Sequence, residues 1–237
     1  FGLDSDFAPV AAIFHIINHA TFKASLFMAA GIIDHETGSR DMRRINGLWK
    51  YMPHTAVLAM VASSAMAGVP LLNGFLSKEM FFSETLHQHL LGSVSWLLPT
   101  LATSASVFSV AYSLRFIHDV FFNGTPINLP KFPPHEPPRY MKIPVEVLVF
   151  CCLLVGMLPA FTIDSLLAVA AQASLGHALP EYDLAIWHGF NMPLLMSVLA
   201  LIGGVIVYSQ RAPLFRWYEG LPDINGRTVF DGSVRFL

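Results

Sequence analysis

The sequence predicts an all-α, polytopic membrane protein with about five transmembrane crossings, one of them a discontinuous helix. Three observations carry this expectation. Of 237 residues, 54% are hydrophobic and 13% charged, against about 25% charged in soluble domains, and the mean hydropathy is +0.55. Five stretches supply the roughly 20 mainly apolar residues that a membrane-crossing helix needs. Lys and Arg, which collect in cytoplasmic connections, fall on one side for a single arrangement of those stretches. The 14 Lys and Arg nearly balance the 16 Asp and Glu, so nothing points to a nucleic-acid partner. The 2 cysteines, Cys151 and Cys152, are adjacent in an apolar run and read as packing residues. The chain opens on Phe1 without a signal-peptide pattern, which reads as a piece of a longer polypeptide.

Taken in order, the first span covers 7–33 and is interrupted by Lys23 and two histidines. The next stretch, 53–91, is apolar but broken by Gly68-Val69-Pro70 and Asn73-Gly74, with Lys78, Glu79 and Glu84 beyond the break. At about 1.5 Å per residue it is too long for one regular crossing, so it is either two crossings or one broken one. The third span, 96–122, carries Arg115, His118 and Asp119 near its far end. The fourth, 143–161, holds Glu146, and 184–208 contains no Lys, Arg, Asp or Glu. Arg40, Arg43, Arg44 and Lys50 follow the first span, Lys131, Arg139 and Lys142 the third, and Arg211, Arg216, Arg227 and Arg235 the last. These 11 of 14 cations share one side provided 53–91 crosses once. The expected topology is therefore N-terminal end outside and C-terminal end cytoplasmic, with 123–142 a cytoplasmic linker, 143–209 two further helices and 210–237 a cytoplasmic segment. Trp96 and Trp187 at the outer ends and Trp49, Tyr51 and Tyr208 at the inner ends fit interfacial aromatic belts.

Three cations remain inside the spans. A charged Lys at mid-helix costs about 2.5–3.5 kcal/mol on insertion scales, which makes it a functional hypothesis by default. His15, His19 and Lys23 are spaced i, i+4, i+8 and line one stripe of about 12 Å along a helix. Imidazoles titrate near neutrality and a dehydrated amine gives up its proton more readily, so a wetted stripe of this kind can pass protons. The other reading is that the histidines are packing residues and Lys23 snorkels. Lys78 follows the helix break, where transporters line ion pathways with interrupted helices; it is a candidate proton carrier, unless it and Glu79 sit at head-group level. Glu79 is about 100° round the helix from Lys78 and faces a different neighbour. Arg115 and Asp119, an i, i+4 pair at a helix end, and Glu146 are possible pathway groups or interfacial anchors.

Other chemistries are poorly served. His15-x-x-x-His19 has metal-pair spacing, but Ile16 stands where a zinc protease carries glutamate. His15 and His19 share a helix while His54 and His118 lie at the opposite side, so no facing pair suits haem. No Gly-rich phosphate loop or Ser/His/Asp pattern stands out. Neither metal nor cofactor is expected.

The run His15-Ile16-Ile17-Asn18-His19-Ala20-Thr21-Phe22-Lys23, the linker Asp34-His35-Glu36-Thr37-Gly38, the stretch Pro70-Leu71-Leu72-Asn73-Gly74-Phe75-Leu76-Ser77-Lys78-Glu79 and the segment Ala185-Ile186-Trp187-His188-Gly189-Phe190-Asn191 resemble the large subunit of Mrp-type multisubunit Na+/H+ antiporters (MrpA). That family is related to the proton-pumping antiporter-like subunits of respiratory complex I, but the 34–38 linker favours Mrp. The resemblance implies that 1–122 is part of the second antiporter-like repeat, with Lys78 its central lysine and His15, His19 and Lys23 on its hydrated axis. It implies Na+ and H+ as transported ions, other membrane subunits as partners and an inner-membrane location. The alternatives are a proton-pumping subunit of a quinone oxidoreductase assembly and a purely structural membrane subunit.

Overall fold

The computed structural model describes residues 3, 5–88, 92–220 and 226. Among them regular structure is helical, with no strand. Helix α1 (Ala8–Thr37) begins with a proline in its first turn and stops at Gly38, whose φ of 69° is the left-handed conformation of a helix end and whose N–H reaches the Asp34 carbonyl. At about 1.5 Å per residue α1 outruns the hydrocarbon core.

The long broken stretch forms two half-helices, α2 (Pro53–Ala67) and α3 (Asn73–Leu86). Their packing shows how they run. Ala56 and Ala59 of α2 pack with Ala29 and Ile33 near the C-terminal end of α1, while Phe75, Leu76 and Met80 of α3 pack with Val10, Ala11 and Phe14 near its start. The two halves thus return along α1 as one antiparallel, interrupted path. Four helical stretches among the described residues are long and apolar enough to cross a membrane: Ala8–Thr37, Gly92–Phe122, Arg139–Met157 and Met192–Ser209. The α2–α3 pair makes the fifth path.

Helix α4 (Leu97–Ile117) continues into a π-helical turn, His118–Phe122. Helix α5 (Arg139–Met157) starts four residues before the expected span and ends four before its expected limit. It halts beside the helix break: a Cβ on Gly156 would lie 2.3 Å from the Leu71 carbonyl oxygen. A short turn, α6 (Pro159–Thr162), and a further helix, α7 (Asp164–Leu175), follow. Residues 162–183 fall between the expected spans 143–161 and 184–208, but Ile163, Leu167 and Ala171 are buried in one cluster with Phe14 and Phe75. Since α5 ends at the level of the break and His177 approaches Asp6, α5 to α7 forms a second interrupted path beside the first. Helix α8 (Met192–Ser209) lies against α4, where Gly203 and Gly204 let Val107 and Val110 approach closely. The short α9 (Arg211–Glu219) follows it. Large apolar side chains such as Phe27, Phe150 and Phe161 face outwards, as lipid or a partner chain requires.

Candidate functional site

The break between α2 and α3 poses an accounting problem, because the last four carbonyls of any helix lack intrahelical partners and must be satisfied where water is scarce. Gly68, with φ at 83°, closes α2: its N–H reaches the Ser64 and Ala65 carbonyls, and the Val69 N–H reaches Ser64 as well. Two carbonyls remain. Ser109 of α4 donates its hydroxyl to Met66 at 3.4 Å, and the Lys78 ammonium donates to Ala67 at 2.9 Å. Lys78 gets there by laying its stem over Gly68, where a Cβ would meet its Cδ at 2.8 Å. Aligned peptide dipoles leave about half a negative charge at such a helix end, a favourable seat for a cation. Gly74 brings the first turn of α3 so close that a Cβ there would lie 1.8 Å from the Ala65 carbonyl oxygen.

The stripe on α1 meets this break. His15 Nδ1 stands 3.2 Å from the Ser77 hydroxyl, which donates to the Gly74 carbonyl. The His15 and His19 rings are 5.8 Å apart. Between them in sequence, Asn18 is buried and its carbonyl accepts from the Asn73 amide at 3.5 Å. Lys23 donates to the Tyr112 hydroxyl at 2.9 Å, and Tyr112 contacts Met66 Sδ at 2.8 Å. Lys23 and Lys78 therefore approach the same end of α2 from two sides. His19 stands on an exposed face of α1.

Glu79 looks elsewhere, as its helical angle requires. Its side chain is 9% exposed and borders a cavity of about 270 Å³ together with Ser83, Glu181, Asp183 and His188. His188 Nδ1 lies 3.9 Å from the Glu79 carboxylate and its Nε2 lies 3.9 Å from Asp183.

Arg115, Asp119 and Glu146 are placed away from the break. Arg115 and Asp119 are 3.5 Å apart, the Tyr208 hydroxyl donates to Asp119 at 3.4 Å, and the Arg115 guanidinium covers the Phe215 ring, so this group ties α4 to α8 and α9. Glu146 pairs with His54 at 2.8 Å. Beside it Glu136, from the linker, accepts the His54 and Thr55 N–H groups at 2.6 and 3.1 Å and the Thr55 hydroxyl at 2.9 Å. It thereby caps the N-terminus of α2 from 81 residues away. Outside the spans, a hydrogen bond from the Arg43 side chain, then one from its backbone, hold the Asp41 carboxyl down at about 2. Burial and the neighbouring Asp164 raise the Tyr182 phenol to about 12.

Sequence reasoning missed Ser77, Ser109, Tyr112 and Glu136. Ser77 immediately precedes Lys78 and Tyr112 is a polar aromatic well inside an apolar span, so each carried a faint signal; the roles of Ser109 and Glu136 depend on tertiary placement. Among the described residues no group of three or more His, Cys, Asp or Glu has metal-binding geometry.

An interrupted helix inside an apolar bundle, with Lys78 on its carbonyl end, is the arrangement with which membrane transporters line ion paths. Residues 3–109 match the model of the family "NADH:quinone oxidoreductase/Mrp antiporter, TM". Over nearly its full length the chain is similar to subunits of cation/proton antiporters. It is 55% identical over 97% of its length to a probable K(+)/H(+) antiporter subunit of Rhizobium meliloti, covering 23% of that protein. It is 41% identical over 85% of its length to a Na(+)/H(+) antiporter subunit of Bacillus subtilis, covering 26%. A chain of the Mrp complex from Dietzia sp. DQ12-45-1b superimposes with a TM-score of 0.80 and 35% identity, over 98% of this chain and 25% of that one. The chain spans about a quarter of the length of these relatives.

Proposed function

We propose that the chain forms part of the large subunit of a monovalent cation (Na+)/proton antiporter of the Mrp type and carries a section of its hydrated proton path. In this reading it is a transporter subunit without a cofactor, set in the cell (inner) membrane among other membrane subunits, with its N-terminal end outside and its C-terminal end cytoplasmic. The observation that carries the proposal is the Lys78 ammonium on the last carbonyl of α2. A carbonyl accepts from an ammonium and, more weakly, from a neutral amine, so Lys78 can give up its proton without losing its partner or stranding a buried anion. Lys78 and Lys23 exchange protons along the His15–His19 stripe, helped by Ser77 and Tyr112, under a driving force of about 2.3 kcal/mol per charge per 100 mV for the electrical part. The names of the relatives favour exchange over redox-driven pumping.

Replacing Lys78 by Ala in the full antiporter complex is expected to abolish cation-dependent pH changes in membrane vesicles. Near-normal exchange by a fully assembled variant contradicts the proposal. K+ as the exchanged ion is the second reading, favoured by the 55% identity to a probable K(+)/H(+) antiporter subunit. Exchange rates in Na+ and in K+ separate the two.

A further inference from the structure

We propose that Glu79, His188 and Asp183 form a proton relay from the broken helix to the membrane face at which α3 ends. The proposal rests on the reading of Lys78 as a proton carrier and adds the port through which that proton reaches bulk water.

The geometry is a ladder of exposure. The Glu79 side chain is 9% exposed, His188 36% and Asp183 76%, and the imidazole stands 3.9 Å from each carboxylate with a different nitrogen towards each. Among the described residues Glu79 forms no hydrogen bond, and the His188 imidazole is the titratable partner within reach. From α3, Ser83 lines the cavity; from the 176–191 segment come Glu181, Asp183 and His188. Tyr182 is engaged with the Asp164 carboxylate and the Asn191 side chain caps α8, so neither competes for His188. At about 30 Å³ per water molecule the cavity holds several waters, enough to bridge each gap.

The proton balance is simple. A protonated Glu79 gives its proton to Nδ1 of His188 while the proton on Nε2 passes to Asp183, which releases it to water. The imidazole ends as the opposite tautomer and returns by rotation or by the reverse exchange of its two protons. The side chain suits the task because an imidazole can carry its proton on either of two ring nitrogens. Glu79 follows Lys78 directly in sequence, so the relay begins beside the carrier while pointing to a different wall of the bundle.

The test uses the full antiporter complex in vesicles, with assembly verified by co-purification of its subunits. His188→Gln is expected to slow cation-dependent proton exchange by roughly tenfold or more, as loss of a proton-transferring side chain does. His188→Ala is expected to recover when imidazole is added on the side to which α3 ends, and not on the other. Asp183→Asn, on an exposed segment, is expected to give a smaller loss and a displaced pH profile, and it decides the matter where His188 variants fail to assemble. Wild-type exchange in His188→Gln, a loss in His188→Ala that imidazole leaves unrestored, or an unchanged pH profile in Asp183→Asn each overturns the relay. If Lys78→Ala is inactive in those same vesicles, the carrier reading survives that failure. If Lys78→Ala exchanges normally, the carrier reading fails first and the relay with it.

Discussion

The break between α2 and α3 and the polar groups at the start of α2 and the end of α4 both hold basic side chains but bind them differently. At the break, Lys78 bonds to a backbone carbonyl and Lys23 to a tyrosine hydroxyl. At the helix ends Arg115 pairs with Asp119, and Glu146 pairs with His54. The difference decides what each group can do. A lysine held by a neutral acceptor can lose its proton and keep its hydrogen bond, whereas a guanidinium such as that of Arg115 does not deprotonate at all. Proximity of charge is thus a poor guide to a proton path; the nature of the partner is a better one.

The largest disturbance to the contrast comes from closing the break by force. A side chain at Gly74 collides with the Ala65 carbonyl. Gly74→Val is therefore expected to cost about 3 kcal/mol, the upper range for overpacking, and to show as lost assembly of the complex on size-exclusion chromatography. Next, Tyr112→Phe leaves packing intact but removes the Lys23 acceptor, and is expected to slow vesicle exchange several-fold at unchanged assembly. At the helix ends the effects are structural. Glu136→Ala removes the cap from α2 and is expected to cost about 1 kcal/mol, seen as a lower thermal midpoint with exchange retained.

Smaller still, Arg115→Gln with Asp119→Asn is expected to change stability by about 1 kcal/mol at most, as for partly exposed pairs, with exchange close to wild type. A tenfold loss of exchange in that double variant would break the division between the two regions. Asp41 gives the smallest effect. Its folded value of about 2 lies below the ordinary 3.8, so any stabilisation it adds is complete above pH 3.8 and fades as pH falls through about 2. Arg43→Gln is expected to move the Asp41 carboxyl titration, followed by NMR, back towards 3.8 without altering exchange near neutral pH.

Much of this arrangement was legible in the residues. Gly68-Val69-Pro70 and Asn73-Gly74 mark the break because they punctuate a helix, and the one-sided placement of Lys and Arg reduced 53–91 to a single crossing. The spacing of His15, His19 and Lys23 put them on one stripe, although His19 emerges on an exposed face. Helix α7 escaped notice because its 12 residues fall short of a bilayer crossing; it is stabilised by burial against α1 and α3, which no local pattern announces. The partners of the lysines were hidden for the same reason. Tyr112 lies 89 residues from Lys23, and the Ala67 carbonyl is backbone, which carries no residue signature. Likewise, the contact of His188 with Glu79 joins distant parts of the chain and depends on how the 176–191 segment folds over α3.

The most direct measurement is cation-dependent proton exchange by the full complex carrying Lys78→Arg, in vesicles and with assembly verified. Arginine keeps the positive charge at the end of α2 but cannot release its proton under any physiological condition. Exchange is expected to fall to the background of vesicles lacking the complex while the subunits still co-purify. Exchange at the wild-type rate would mean that Lys78 supplies only charge to the broken helix, and would contradict its proposed role as the proton carrier.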